Sequence, residues 1–429
     1  MIRFLLYIIV GVSVSFFLFP IAFTFLPSLN TKMVLAVLGV MFAGMNWLTV
    51  REIKISKGFL LSVILALLFS FICYYSTDIN KTTDYAYASY ILSFAVWYFG
   101  AYAICSMIKI VHGKVDFKLV TYYVTAVCVF QCAAALMIDN IPSFKQFVDS
   151  YVSQGQEFFD EVERLYGIGA ALDPAGVRFT IVLLMITAVL NNDEKVRNNA
   201  WSISLLLISF FFIAIIGNAI SRTTILGLGA SLGYLLFGSS VFRKAIKQYS
   251  GKLSLLFGLF LAVAIGISIY LYNTNIEFYD QMRFAFEGFF NYVEKGEWRT
   301  DSTDKLNREM WVWPEDQKTW LIGSGLFDNF VYGTDIGYCR LILYSGLIGF
   351  SVFALLFVVN ALVFMKRHPE YWMFFLILLV LTFIIWFKVA TDIFFIYAVF
   401  YCIDSLKVTE DIAEKEEVYE DSVLHPRYI

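Results

Sequence analysis

Apolar runs long enough to cross a bilayer recur along most of this chain, separated by short polar breaks. A helix needs about 20 apolar residues to span the hydrocarbon layer. That rule predicts helices over 4–26, 33–50, 58–76, 87–108, 119–138, 176–192, 200–220, 222–241, 251–273, 337–365, 371–388 and 389–406. These twelve segments predict an all-α polytopic membrane protein, with residues 1–406 as one transmembrane helical domain and 407–429 as an acidic tail. Two polar stretches break the rhythm, about 140–175 and 274–336. In the first, Gln156 to Tyr166 is acidic and reads as helical. In the second, Phe278, Met282, Phe286, Phe289 and Val293 recur at helical spacing, with Asp280, Arg283 and Glu287 on the other face. This predicts one amphipathic helix lying along a membrane surface. A loop of that length exceeds what a connector needs and is a place to expect function.

Composition narrows the function classes. Hydrophobic residues make up 59% of the 429 and charged residues 16%, against roughly half and a quarter in soluble domains, so an ordinary globular enzyme is excluded. The 44 Phe and 26 Tyr exclude disorder, because so much apolar surface does not stay solvated. A net charge of -3 gives no sign of a nucleic-acid partner, which calls for a basic face. Cys73, Cys105, Cys128, Cys132, Cys339 and Cys402 all fall in or beside apolar segments and read as small buried hydrophobes. The first apolar run, from Arg3 to about Phe25, is too long for a signal-peptide core and lacks a small-residue cleavage site. A retained first helix is expected.

Basic residues set the direction. Arg51, Lys54 and Lys57, then Lys109, Lys114 and Lys118, then Lys195 and Arg197 fall in loops on one side. Arg243, Lys244, Lys247 and Lys252 follow on that side, and then Lys366 and Arg367, whereas the alternate short loops hold little more than Lys32 or Lys81. The positive-inside rule then places both termini in the cytoplasm and both long loops outside. His112, His368 and His425 all map to the cytoplasmic side. No outward imidazole is expected as a base or zinc ligand, and neither a metal nor another cofactor is expected.

Charges at membrane depth cost a few kcal/mol and mark candidate sites. Arg222, in Gly217-Asn218-Ala219-Ile220-Ser221-Arg222-Thr223-Thr224, opens a span, and no acidic residue lies between Ala200 and Lys252. Its partner has to come from elsewhere in the fold or from a ligand. Downstream, Gly227, Gly229 and Gly233 read as helix-packing glycines. Arg164 follows Asp160 and Glu161 at salt-bridge spacing, while Arg178 has fewer local partners. Arg283 sits between Asp280 and Glu287, and Arg308 beside Glu309. The last cluster runs from Gly323-Ser324-Gly325 through Asp335, Tyr338 and Arg340 to Gly346 and Gly349. Outward arginines on different helices, with an acid on a third, describe a charged pocket suited to an anionic ligand entering from the membrane. Trp298, Trp311, Trp313 and Trp320 enrich the large loop, either as interfacial anchors or as platforms for sugars.

On these residues the chain resembles the O-antigen polymerase and ligase superfamily, the Wzy-type membrane glycosyltransferases, over about 160–350. The resemblance rests on Ser221-Arg222 opening a span, the large late loop, Gly323 and Gly325 at its end, and Asp335, Tyr338, Gly346 and Gly349 entering the next helix. Arg222 and Gly233 fit an Arg-x10-Gly spacing, which Arg164 to Gly176 misses by one residue. Ligases of the family carry a His where Asp335 stands here, so the polymerase branch is nearer. The resemblance implies a helical bundle in the bacterial cytoplasmic (inner) membrane, its active site facing the periplasm or cell exterior. There, polyprenyl-pyrophosphate-linked repeat units are joined into O-antigen, capsule or exopolysaccharide. It implies Arg222 and Asp335 as catalytic residues and Arg164, Arg178, Arg340, Arg308, Tyr338 and Ser221 as binders of pyrophosphate or glycan. Membrane lipids and a chain-length regulator protein are the implied partners. The alternatives are an O-antigen-type ligase and a lipid-linked oligosaccharide flippase. The flippase predicts two similar halves, and no internal repeat is visible.

Overall fold

Apolar length decides where this chain is helical, and proline, glycine and cap residues decide where each helix stops. The computed structural model describes residues 2–50, 55–154, 165–238, 250–297, 299–327 and 331–407. Arg51, Lys54, Arg164, Arg243, Lys244, Lys247, Trp298, His425 with the acidic tail after Lys407, and most of Gln156–Tyr166 lie outside the described residues. Among the described residues, eight helices are long and apolar enough to cross a membrane: Thr31–Thr49, Lys57–Asn80, Tyr90–His112, Phe117–Asn140, Leu172–Asn192, Ala200–Ile220, Leu255–Thr274 and Gly337–Arg367. Three shorter apolar helices accompany them, Arg3–Leu18, Thr224–Leu235 and Pro369–Ile385, and 394–407 is helical too. The protein is an all-α membrane protein with very little sheet.

Leu172–Asn192 is the central helix, with 78% of its apolar window buried, whereas Leu255–Thr274 buries none of its own. A helix apolar all round and uncovered by protein has the surface that lipid tails solvate. Several positions differ from expectation. The first helix ends at Leu18 rather than 26, because Pro20 lacks an N–H and disfavours helix in the residue before it. The chain then forms strand Ala22–Phe23, which pairs antiparallel with Leu26–Asn30 and with Val152–Ser153. The expected surface helix is two, Ile276–Ala285 and Glu287–Lys295, broken at Phe286 with φ -118° and ψ 30°. Tyr166 is not helical. Among the expected packing glycines, a Cβ on Gly227 would meet Thr180 Cα at 2.5 Å, whereas one on Gly229 or Gly233 would meet no other described residue within 4 Å.

The bundle has two unlike ends. At one end Lys118 pairs with Asp193 at 3.1 Å, and Asp404 holds both Arg367 at 3.1 Å and His368 Nε2 at 3.0 Å. Lys109 Nζ there donates to the Leu406 carbonyl at 3.0 Å. His112, at the close of Tyr90–His112, shares this end. The described parts of both long polar stretches lie at the opposite end.

There the helix Gly337–Arg367 breaks at Gly346, where φ is 65° and ψ -179°. The break frees carbonyls that the loop Gly323-Ser324-Gly325 satisfies. Ser324 N donates to Leu343 O at 2.7 Å and Gly325 N to Tyr344 O at 3.0 Å, and Ser76 Oγ also reaches Tyr344 O at 2.9 Å. A Cβ on Gly323 would sit 2.1 Å from the Tyr344 oxygen, and one on Gly346 2.2 Å from the Leu321 oxygen. The two glycine features of the sequence are therefore one interlock.

Candidate functional site

The site is assembled where Leu172–Asn192 begins. The loop before it, 165–171, is held by the buried Gln131, whose amide donates to Ile168 O at 2.9 Å and accepts from Ile168 N at 2.8 Å. Leu172 is left with φ 51°, a left-handed conformation uncommon for a residue with a Cβ and imposed by its surroundings. Asp173 follows in the first helical turn, where backbone N–H groups favour an anion. Its Oδ1 accepts from Thr223 Oγ1 at 2.6 Å, from Lys388 Nζ at 2.7 Å and from Ser221 Oγ at 3.4 Å. Lys388 also reaches Thr223 Oγ1 at 3.2 Å. The close approach needs Gly176, since a Cβ there would lie 2.4 Å from Ser221 Oγ.

Lys388 belongs to the irregular segment 386–393 between the helices Trp372–Ile385 and 394–407. Each helix is about 21 Å long at 1.5 Å per residue, short of the ~30 Å apolar layer, which draws their connection inward. Irregular backbone near that layer is tolerated where protein covers it or where it lines a cavity. Trp386 Nε1 donates to Thr391 O at 3.0 Å, and Tyr338 N to Trp386 O at 3.2 Å. Asp392 caps the last helix through Phe394 N at 2.8 Å and faces the Tyr90 hydroxyl. It also attracts Lys32, which lies near Arg178 as well.

Arg178 donates from Nη1 to Pro174 O at 2.6 Å, with its guanidinium 5.8 Å from the Phe19 ring and 5.8 Å from the Phe395 ring. Its Nε, like Thr391 Oγ1, is buried without a hydrogen-bond partner among the described residues. Buried polar atoms are nearly always satisfied, so each of the two retains a hydrogen-bonding capacity that a water or a ligand can fill.

Arg340 and Asp335 do not close on each other. Arg340 Nη2 donates to Phe327 O at 2.7 Å and its guanidinium lies 3.8 Å over the Phe327 ring. Asp335 has its carboxyl pKa pushed up by desolvation, with Arg340, Lys388 and Lys305 pulling it down and Asp173 pushing it up. Asp335 thus senses the Asp173–Lys388 pair. Tyr338 has its hydroxyl committed to Phe383 O at 2.9 Å.

Arg222 turns away from this cluster. Its Nη1 pairs with Glu287 Oε2 at 2.6 Å and its guanidinium lies 4.0 Å from the Phe284 ring. Asn218 Nδ2 donates to Ala285 O at 2.9 Å, so the two outer-loop helices sit over the Ser221-Arg222 turn. The partner missing from the local sequence comes from the large loop. Arg283 pairs with Glu294 instead of Asp280 or Glu287. Arg308 is exposed on Asp301–Glu309 beside Asp304 and is not brought into the cluster.

Sequence reasoning missed Lys388, Asp392, Lys32 and Asp173 as site residues. A signal existed for two of them. Lys388 and Asp392 interrupt the last apolar run, where a charge is itself a functional mark. All six cysteines are buried and unpaired. Among the described residues, no group of three or more His, Cys, Asp or Glu is placed to hold a metal. No protein-family profile, curated protein or solved structure matches this chain.

Proposed function

We propose that this chain is a membrane glycosyltransferase that polymerises polyprenyl-pyrophosphate-linked oligosaccharide repeat units. In this reading twelve segments cross the membrane, both termini are cytoplasmic, and the charged end faces outward. One observation carries it. Lys32, Arg178, Arg340 and Lys388, from four separate segments, gather with Asp173, Asp335 and Asp392 at the end opposite the basic loops.

The chemistry fits a pyrophosphate leaving group, a dianion in the donor that gains further negative charge as it departs. A hydroxyl of the acceptor's terminal sugar attacks the anomeric carbon of the donor glycan. The bond from that carbon to the pyrophosphate oxygen breaks, and polyprenyl pyrophosphate departs with the electron pair. Fixed cations at that oxygen stabilise the developing charge. Arg178, with an unsatisfied Nε, and Lys388 are placed for this, with Arg340 beside them. The acceptor proton passes to a carboxylate, and Asp335 is the candidate. Arg222 lies at the lip, where an entering pyrophosphate competes with Glu287 for the guanidinium.

The test is reconstitution. Purified protein in liposomes is given lipid-linked oligosaccharide extracted from a strain lacking it. A ladder of longer chains with release of polyprenyl pyrophosphate is expected. Transfer of oligosaccharide across the bilayer with no new glycosidic bond would overturn the reading.

A further inference from the structure

Beside the charged cluster the large loop builds a staircase of aromatic rings. Trp313 stacks on Trp320 at 5.7 Å between centroids and 13° between planes, and Trp311 meets Trp313 at 5.7 Å and 32°. Trp311 in turn contacts Phe387 at 6.2 Å, one residue from Lys388. At such separations near-parallel rings are offset, so each step leaves part of a face free. Trp311 is 36% exposed and Trp313 40%.

The staircase is held rigid. Asp316 caps the helix Gln317–Ile322, which carries Trp320, through Thr319 N at 2.9 Å and Thr319 Oγ1 at 2.6 Å. Lys318 Nζ ties that helix to Asn80 at 2.8 Å, and the glycine interlock fixes its far end. The Thr334 hydroxyl fixes Met310, next to Trp311. Here the flanking residues Glu309, Glu315, Asp316 and Lys318 are exposed and charged, and carboxylates are repelled by anionic headgroups.

We propose that Trp311, Trp313 and Trp320 form a binding lane for a glycan chain leading to the charged cluster at Phe387 and Lys388. The apolar faces of pyranose rings stack on the indoles, and their hydroxyls meet the carboxylates and amides at the edges. The inference rests on the glycosyltransferase reading and adds to it where the sugars lie.

The test uses the full chain in nanodiscs. The probe is the free oligosaccharide released by mild acid from the lipid-linked precursor, read by tryptophan fluorescence and calorimetry. Trp313→Ala and Trp320→Ala are each expected to weaken binding about tenfold, the size of one lost aromatic contact, while Trp313→Phe recovers most of it. In brominated lipid the fluorescence lost in the triple Trp→Phe variant should be unquenched. Strong quenching of that component would make the tryptophans a membrane anchor and overturn the lane. Equal oligosaccharide binding by wild type and the alanine variants would also overturn it, even if polymerisation persists. Tryptophan-dependent binding with no polymerisation would sustain the lane and defeat the polymerase reading instead.

Discussion

Asp335 combines two properties that pull in opposite directions. Desolvation raises its pKa above the ordinary aspartate value, so in the folded protein the charged form is disfavoured. The stability this contributes is present below the unfolded pKa and is lost as pH rises through the folded one. At neutral pH, Asp335→Asn should therefore leave the melting temperature unchanged or raised, while lowering turnover about 10²–10⁴-fold if the carboxylate takes the acceptor proton. The wild-type rate should fall with decreasing pH through an inflection above the usual aspartate range, and that limb should vanish in the variant. A variant that melts early and retains its pH profile would make Asp335 structural. Arg222→Lys should cost more than about tenfold in kcat/KM, because lysine offers a point charge where the guanidinium offers a fork.

The element scale is governed by breaks. Gly346 holds a positive φ inside an apolar helix, and its interlock with Gly323 leaves no room for a methyl group. Gly346→Ala should destabilise by roughly 1–3 kcal/mol or more, read as a lower unfolding temperature in detergent. Lys388→Met leaves Asp173 in its half-buried cluster without the ammonium. The pair is partly screened by solvent, at 38% and 28% side-chain exposure, so a double-mutant cycle with Asp173→Asn should return a coupling of about 1 kcal/mol. Sequence reading located the helices because apolar length is a local property. It singled out Ser221, Arg222, Asp335 and the glycine pairs because each opens or closes an element. It did not find the Glu287 partner of Arg222, which comes from a distant loop, nor the Asp173–Lys388 pair, which joins the start of one helix to a distant irregular segment. Lys388 was hidden by being counted as the end of a span.

For the whole molecule the proposal requires the two ends to face different compartments. Single cysteines at Thr303 and Lys114, both exposed, test this against a background of six buried native cysteines. An impermeant maleimide added to intact cells should label Thr303→Cys and spare Lys114→Cys. Labelling of both, or of Lys114→Cys alone, would invert or abolish the outward site. The central claim, that the cationic cluster serves chain growth, is tested most directly by glycan length. A strain lacking the protein is complemented with wild type or Arg178→Gln, and its lipid-linked and surface glycans are sized. Wild type should restore a ladder, and Arg178→Gln should leave single repeat units on the carrier with no ladder. An unchanged ladder in the variant, long chains stalled on the carrier, or repeat units trapped on the cytoplasmic face would contradict the account.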